Sequence, residues 1–131
     1  MHLHFATIEK DGWTLESSEE RNAQSPETFS IPSRAERESL SPGDGAKLLF
    51  DIETREAGQV VDRGIDRMWV IVKTKADGLY VGILDSDPGV AARLTLRTGT
   101  EVLFGPEHII AIERPPDDYL IRKFGPDFFT G

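Results

Sequence analysis

One β-hairpin in the middle of the chain constrains the fold more than any other feature. Residues 67–73 (RMWVIVK) are apolar on both faces of an extended chain, which is typical of a strand at the centre of a sheet. Ala76-Asp77-Gly78 supplies turn residues, and residues 79–84 form a second run that returns beside the first. The pattern predicts an antiparallel sheet with residues 67–73 near its centre.

Shorter strands are predicted on both sides of this hairpin. Apolar residues alternate with polar ones through residues 46–52, which indicates a half-buried strand. Short apolar runs indicate further strands at residues 101–104 and 108–112, and at residues 3–8 and 13–15 near the N-terminus. The total is five to seven short strands joined mostly by tight turns.

Two short helices complete the predicted fold. Ser33 and Glu36 have the spacing of a capping box before a helix that ends near Leu40. Asp117 or Asp118 is placed to cap a second helix near the C-terminus. We therefore expect a mainly β chain of the β-rich α+β class, with a small antiparallel sheet curled into a partly open, SH3-like barrel.

The length of 131 residues fits a single domain, residues 1–131, with a core of its own. Between residues 16 and 28 the only apolar residue is Ala23, which predicts a mobile loop or linker. Residues 53–66 are also polar and predict a long loop, with a ragged strand extension as the alternative. Phe128 and Phe129 either pack a C-terminal tail against the body or mark a contact surface.

Several classes of protein are excluded by composition. The chain has no cysteine, so it has neither disulfides nor a cysteine nucleophile. No apolar run approaches the roughly 20 residues that a membrane-spanning helix needs. The N-terminus lacks the pattern of a signal peptide, and we expect a cytoplasmic protein. No phosphate-binding loop or other cofactor motif is present, so no cofactor is expected.

Charge is distributed unevenly along the chain. The formal net charge is −8, and almost all of it falls in residues 1–66, whereas residues 67–116 are neutral. An acid surplus argues against general affinity for nucleic acid. The acidic half is either a solvated face or a surface for a basic protein partner.

A metal site is not expected, although two patterns suggest one at first sight. His2 and His4 would share a face on a strand, with His108 as a distant third, but a site needs three or four ligands. The segment from Asp85 opens like a calcium loop and then departs from it, with Leu96 where the loop needs a glutamate. A frayed N-terminal strand and a polar turn account for both patterns.

Catalytic candidates centre on His108. Glu107 beside it is a possible orienting carboxylate for a general base, and Asp85 and Asp87 are further acidic candidates. No nucleophile elbow or His-Glu-x-x-His motif accompanies them. A turn that feeds a strand explains Glu107 and His108 equally well.

The segment 29–115 resembles the bacterial domain-of-unknown-function family of YegJ-like proteins. The resemblance lies in aromatic, glycine and turn residues, in the order Phe29-x-Ile31-Pro32-Ser33, Gly43-Asp44-x-x-Lys47-Leu48-x-Phe50, Arg67-Met68-Trp69-Val70, Tyr80-x-Gly82-x-Leu84-Asp85-x-Asp87-Pro88 and Gly99-Thr100-Glu101-Val102-x-Phe104-x-Pro106-Glu107-His108-Ile109. Such residues specify a fold rather than a chemistry. The resemblance therefore implies a small bacterial protein and carries no catalytic residue.

The sequence favours a non-enzymatic, protein-binding module of the immunity or regulatory type. Its partner would be another protein with a basic surface, and no membrane is involved. The expected binding surface consists of Asp85, Asp87, Pro88, Glu107 and His108. Two alternatives remain open: a small enzyme that uses His108 with nearby carboxylates, and a single-strand nucleic-acid-binding barrel that stacks bases on Trp13, Trp69 and Tyr80.

Overall fold

A computed structural model describes residues 4–88 and 96–130 of the chain. The strands are β1 Trp13–Leu15, β2 Gly45–Glu56, β3 Gln59–Ala76, β4 Leu79–Leu84, β5 Glu101–Phe104 and β6 Ile109–Glu113. The α-helices are α1 Ile8–Asp11, α2 Ser18–Gln24, α3 Arg34–Arg37 and α4 Asp117–Phe124. A single 3-10 turn, Pro106–His108, joins β5 to β6.

All strands pair antiparallel in one curled sheet. The order is β1-β2-β3-β4-β5, and β6 returns to pair with β2 on the edge that β1 also uses. In a flat sheet, β6 and β5 would be separated by the four interstrand spacings of the path β6-β2-β3-β4-β5, which total about 19 Å. The link from Phe104 to Ile109 has about five Cα–Cα steps and reaches at most about 18 Å when extended, and it contains a compact 3-10 turn. The sheet therefore curls into a half-barrel, which confirms the predicted fold class.

The curl gives the sheet a closed inner face and a partly covered outer face. Successive residues of a strand point to opposite faces, so Met68, Val70 and Val72 of β3 pack inside the barrel. Ile71 of β3 points outward and packs with Leu120 of α4 and with Phe128. Residues 68–72 are thus buried or half-buried on both faces, which places the apolar centre of the predicted strand inside the sheet, whereas Arg67 is exposed.

Two residues of β4 show how tightly the barrel is packed. Tyr80 is fully buried; its hydroxyl donates to the carbonyl of Arg37 (2.7 Å) and accepts from the amide of Leu40 (3.2 Å). A Cβ on Gly82 would lie 2.3 Å from Cγ1 of Val70, so only glycine fits there. Strand β4 is therefore fixed to α3 on one side and to β3 on the other.

Residues 16–28 are not a mobile loop, and this prediction is wrong. They contain α2, whose first turn is capped by the Ser17 hydroxyl, which accepts the amide of Glu20 (3.1 Å). Ser18 is fully buried although it is polar. The helix is held through hydrogen bonds rather than through an apolar face, which is why its composition resembles that of a linker.

Residues 53–66, which we name the arm, are not a long loop either. They form the outer half of the β2–β3 hairpin, which is the strand extension that the sequence left as the alternative. Ala57 and Gly58 have φ values of 51° and 80°, as a two-residue type I′ turn requires. Residues 59–67 of β3 are exposed. The arm is therefore stabilised by its hydrogen-bond ladder and not by a core, which is why its sequence is polar.

The chain ends are only partly predicted. The strand expected at residues 3–8 is absent from the described residues 4–8, where Thr7 instead caps α1. The capping box of Ser33 and Glu36 is confirmed at α3. Helix α4 is present, but its N-cap is Pro116 and neither Asp117 nor Asp118 caps it. Residues 4–88 and 96–130 thus contain four short α-helices where two are predicted.

Candidate acidic groove

Helix α2 meets the turn between β5 and β6. The Ser18 hydroxyl donates to the carbonyl of Glu107 (2.7 Å), across 89 positions of sequence. Arg37, on α3, donates from Nη1 to the carbonyl of Pro106 (3.0 Å). Both bonds satisfy carbonyls of the 3-10 turn, so they fix α2, α3 and the turn in one place.

A groove of about 660 Å³ opens where these elements meet. We name it the acidic groove; its lining residues are Ser17, Glu19, Glu20, Ala23, Arg34 and Glu107. The carboxylate of Glu19 accepts from Arg37 (2.7 Å) and from Arg34 (3.3 Å). Glu20 and Glu107 form no ion pair with any residue that the structure describes. Two unneutralised carboxylates therefore make the groove negative.

His108 lies beside this groove in a smaller hollow of about 200 Å³, which Glu107 also lines. Its ring is half-buried and lies 6.0 Å, centroid to centroid, from the ring of Phe5. Burial lowers the pKa of His108, while the charges of Glu107 and Glu19 oppose that shift. The neutral form of the imidazole is therefore favoured over the charged form by its surroundings.

The hydrogen bonding of His108 leaves little scope for base catalysis. Nδ1 accepts the amide N–H of Gly105 (2.9 Å), so in the neutral ring the proton is on Nε2. The only basic lone pair of the imidazole is thus already occupied. His108 consequently holds the turn in shape and offers a hydrogen-bond donor to its surroundings.

Asp85 lies in a different cavity, a cleft of about 360 Å³ between the outer face of the sheet and α4. Its carboxylate accepts the Tyr119 hydroxyl (3.0 and 3.2 Å) and binds the ammonium of Lys123. The hydrogen bond to Asp85 raises the pKa of Lys123. Asp85 is therefore engaged in holding α4 and does not meet His108 in a shared pocket.

The predicted binding surface is thus divided. Glu107 and His108 lie together with the acidic residues of α2, whereas Asp85 lines the α4 cleft. Asp87 is exposed, but Pro88 is buried and cannot form part of a contact surface. Glu19 and Glu20 belong to the acidic half of the chain, which the sequence interprets either as a solvated face or as a partner surface. Only the long-range bond of Ser18 shows that they lie beside Glu107.

The remaining candidates do not form sites in the part of the chain that the structure describes. His4 Nε2 contacts Asp11 Oδ2 (2.9 Å), and no group of three metal-ligating side chains occurs there. His2 lies outside the described residues. Trp13 and Tyr80 are buried in the core, so they offer no platform on which bases could stack.

The comparisons with known proteins leave the groove to be interpreted from its own geometry. No helix in the described part of the chain is long and apolar enough to cross a membrane. The resemblance of residues 29–115 to the YegJ-like proteins stays a prediction from the sequence. No protein-family model, no curated protein and no solved structure matches the chain.

Proposed function

We propose that this chain is a non-enzymatic protein-binding module whose acidic groove receives a basic segment of a partner protein. The observation that carries the proposal is the Ser18–Glu107 hydrogen bond, which brings Glu20 and Glu107 to one groove. Complementary charge steers association and sets specificity. A lysine or arginine of the partner would satisfy the carboxylates that the described residues leave unpaired.

The setting we propose is the bacterial cytoplasm, with a role of the immunity or regulatory type. The acid surplus of residues 1–66 supports this proposal, because an acidic surface can cover the basic surface of an effector. The groove offers a concave place for such contact. Its floor is built from hydrogen-bonded elements, so it is formed before the partner arrives.

The enzyme alternative has less support from the geometry. General acid–base work needs a titratable group within hydrogen-bond reach of a reacting atom and a partner to orient it. His108 and Asp85 line separate cavities, and the basic nitrogen of His108 is occupied by Gly105. A binding role uses the same residues without requiring a free base.

The test is a pull-down from lysate of the native host, analysed by mass spectrometry at low salt. The wild-type chain is expected to retain a basic protein that the Glu20→Lys/Glu107→Lys variant no longer retains. The control Glu56→Lys/Glu101→Lys makes the same change of charge at exposed positions outside the groove. It should keep the partner. Equal retention by both variants, or retention of no basic protein by the wild type, would refute the proposal.

A further inference from the structure

Along the arm, one edge of β3 has no neighbouring strand among the residues that the structure describes. Residues 59–68 pair with β2 on one side, whereas β4 begins to pair with β3 only at Val70. Within residues 4–88 and 96–130, no strand pairs with the second edge of residues 59–68. An edge of this kind presents backbone donors and acceptors to any extended chain that comes beside it.

The direction of these backbone groups follows from Trp69. Its carbonyl accepts from the amide of Asp85 and its amide donates to Ser86 Oγ, both at 2.9 Å, so both groups point away from β2. Backbone groups of a strand alternate in direction with a period of two residues. The amide and carbonyl groups of Arg67, Ile65 and Arg63 therefore also point to the free edge.

The side chains of the arm place unpaired negative charge on one face. Asp62, Gly64 and Asp66 share that face, and neither aspartate forms an ion pair with a described residue. A Cβ built on Gly64 would meet no atom within 4 Å. The face thus consists of two free carboxylates with an open notch midway between them.

The positive charges of the same edge are already engaged. Arg63 contacts the carboxylates of Asp51 (3.2 Å) and Glu53 (3.6 Å). Arg67 lies over the ring of Phe29, 5.8 Å from its centroid. The charge still available to a partner at this edge is therefore negative.

A second copy of the chain is not a suitable occupant. Two residues that lie opposite each other in an antiparallel pair must both direct their backbone groups toward the partner strand or both away from it. A pair of identical strands related by a two-fold axis is therefore centred on one residue, which lies opposite its own copy. In a pair of strands centred on Gly64, Asp62 of one copy would lie opposite Asp66 of the other. In a pair centred on Ile65, Arg63 would lie opposite Arg67. In a pair centred on any of these four charged residues, that residue would lie opposite its own copy. Like charges directly opposite each other destabilise a sheet, so every register centred within residues 62–67 is disfavoured.

We propose that the free edge of β3, residues 62–67, binds an extended basic segment of another protein as an added strand. Two basic side chains four residues apart would face Asp62 and Asp66, and a large apolar side chain midway would fill the notch at Gly64. Backbone hydrogen bonds to residues 63, 65 and 67 supply the affinity, and the side chains supply the specificity. This edge is separate from the acidic groove, so the proposal stands independently of it.

The test is an NMR titration of the full chain with a short peptide of this pattern, Ac-Thr-Lys-Thr-Phe-Thr-Lys-Thr-NH2. We expect shifts of the amides of residues 61–67 and saturable binding. A peptide with glutamate in place of both lysines should not bind. Asp62→Asn/Asp66→Asn should weaken binding about fivefold, since each exposed cross-strand charge pair contributes modestly.

Ile65→Pro tests the added strand itself. It removes an amide that points to the free edge and costs no bond to β2, and proline is tolerated on edge strands. Binding should be lost, whereas Ile65→Thr, which keeps the amide, should bind like the wild type. If Ile65→Pro disturbs the arm, a peptide N-methylated at the two threonines beside phenylalanine tests the same hydrogen bonds, and it should not bind.

Four outcomes would overturn the proposal. They are equal binding of the lysine and glutamate peptides, unchanged binding of the N-methylated peptide, shifts confined to the acidic groove, and concentration-dependent shifts of residues 62–67 without peptide, which would indicate self-pairing. The Glu20→Lys/Glu107→Lys variant should bind the peptide as the wild type does. Loss of the groove partner and loss of the edge ligand are thereby distinguishable.

Discussion

At the scale of single residues, Arg37 connects more of the structure than its sequence context suggests. Its side chain is 7% exposed. Nε donates to the carbonyl of Pro32 (2.9 Å), and Nη1 donates to Pro106 and to the carboxylate of Glu19. One guanidinium therefore joins α3, the 3-10 turn and α2, the elements that meet at the acidic groove.

Replacement of Arg37 by methionine should lower the free energy of unfolding by about 2–4 kcal/mol, because buried carbonyls and Glu19 lose their donor. Urea denaturation measures this change. Arg34→Met is the matched control, since Arg34 contacts the same Glu19 but is 68% exposed. Its effect should stay within about 0.5 kcal/mol. Equal effects of the two substitutions would show that Arg37 has no special structural role.

His108 predicts a dependence of stability on pH. Burial lowers its pKa in the folded chain below the ordinary value of 6.5, so the unfolded state binds more protons once the pH falls below 6.5. Stability should therefore decrease as the pH falls from 6.5 toward the folded pKa, by about 1.4 kcal/mol for each pH unit between the two pKa values. His108→Asn keeps an acceptor for Gly105 but does not titrate.

The measurement for His108 is urea denaturation of both chains between pH 7.5 and 5. Carboxylates titrate in both proteins, so the difference between wild type and His108→Asn isolates the histidine. As the pH falls, the free energy of unfolding of the wild type should decrease relative to that of His108→Asn. A constant difference across the range would contradict the assigned burial of the imidazole.

At the scale of elements, α4 and the tail that follows it behave as an attachment to the outer face. Phe128 is 4% exposed and packs with Ile71 and Leu120, and its carbonyl accepts the ammonium of Lys73. Asp85 holds the same helix through Tyr119 and Lys123. The sequence left open whether Phe128 and Phe129 pack or form a contact surface, and the structure buries the first and leaves the second 38% exposed.

Phe128→Ala should therefore release α4 more than it unfolds the barrel. Loss of a buried phenylalanine side chain destabilises its site by about 3–5 kcal/mol. Because α4 can open locally, only part of this loss should appear in the free energy of global unfolding. Hydrogen exchange should accelerate in the α4 amides by at least tenfold and remain slow in β3. Phe129→Ala, at the next position, should leave both rates unchanged. Uniform acceleration throughout the sheet would show that α4 belongs to the cooperative core.

The arm shows where sequence patterns mislead at this scale. Its residues lack an apolar face, so hydrophobic periodicity predicts a loop, although the type I′ turn at Ala57-Gly58 and the pairing with β2 hold it as a hairpin. Helix α2 is missed for a related reason, because Ser18 attaches it through a hydrogen bond. Periodicity reports burial of apolar surface, and neither element relies on that.

At the scale of the whole molecule, the barrel is complete without the outer part of the arm. Thr54 and Asp62 are partners in the β2–β3 register, so Asn-Gly between them can replace residues 55–61 with a tight type I′ turn. No residue of either core cluster is removed. The free energy of unfolding should change by less than about 1 kcal/mol, as measured by urea denaturation. Failure of this shortened chain to fold would show that the arm supports the barrel.

The uneven distribution of charge along the chain corresponds to particular surfaces of the fold. Residues 1–66 carry the acid surplus, and among their unpaired carboxylates Glu20 lies in the acidic groove and Asp62 and Asp66 lie on the arm. The neutral stretch 67–116 supplies the centre of the barrel but also Glu107, which completes the groove. Charge counted along the sequence therefore indicates the sign of the proposed partner's charge but not which surface of the fold carries the unpaired carboxylates.

Local chemistry by itself determined the central hairpin, the capping box of Ser33 and Glu36, and the mainly β class, because each depends on neighbours within a few residues. Only the tertiary structure joined Ser18 to Glu107 across 89 positions, separated Asp85 from His108, and left one edge of residues 59–68 without a strand from the described part of the chain. Those outcomes depend on the curl of the sheet, which lets one short turn join β5 to β6, and no local pattern encodes which distant backbone groups then meet.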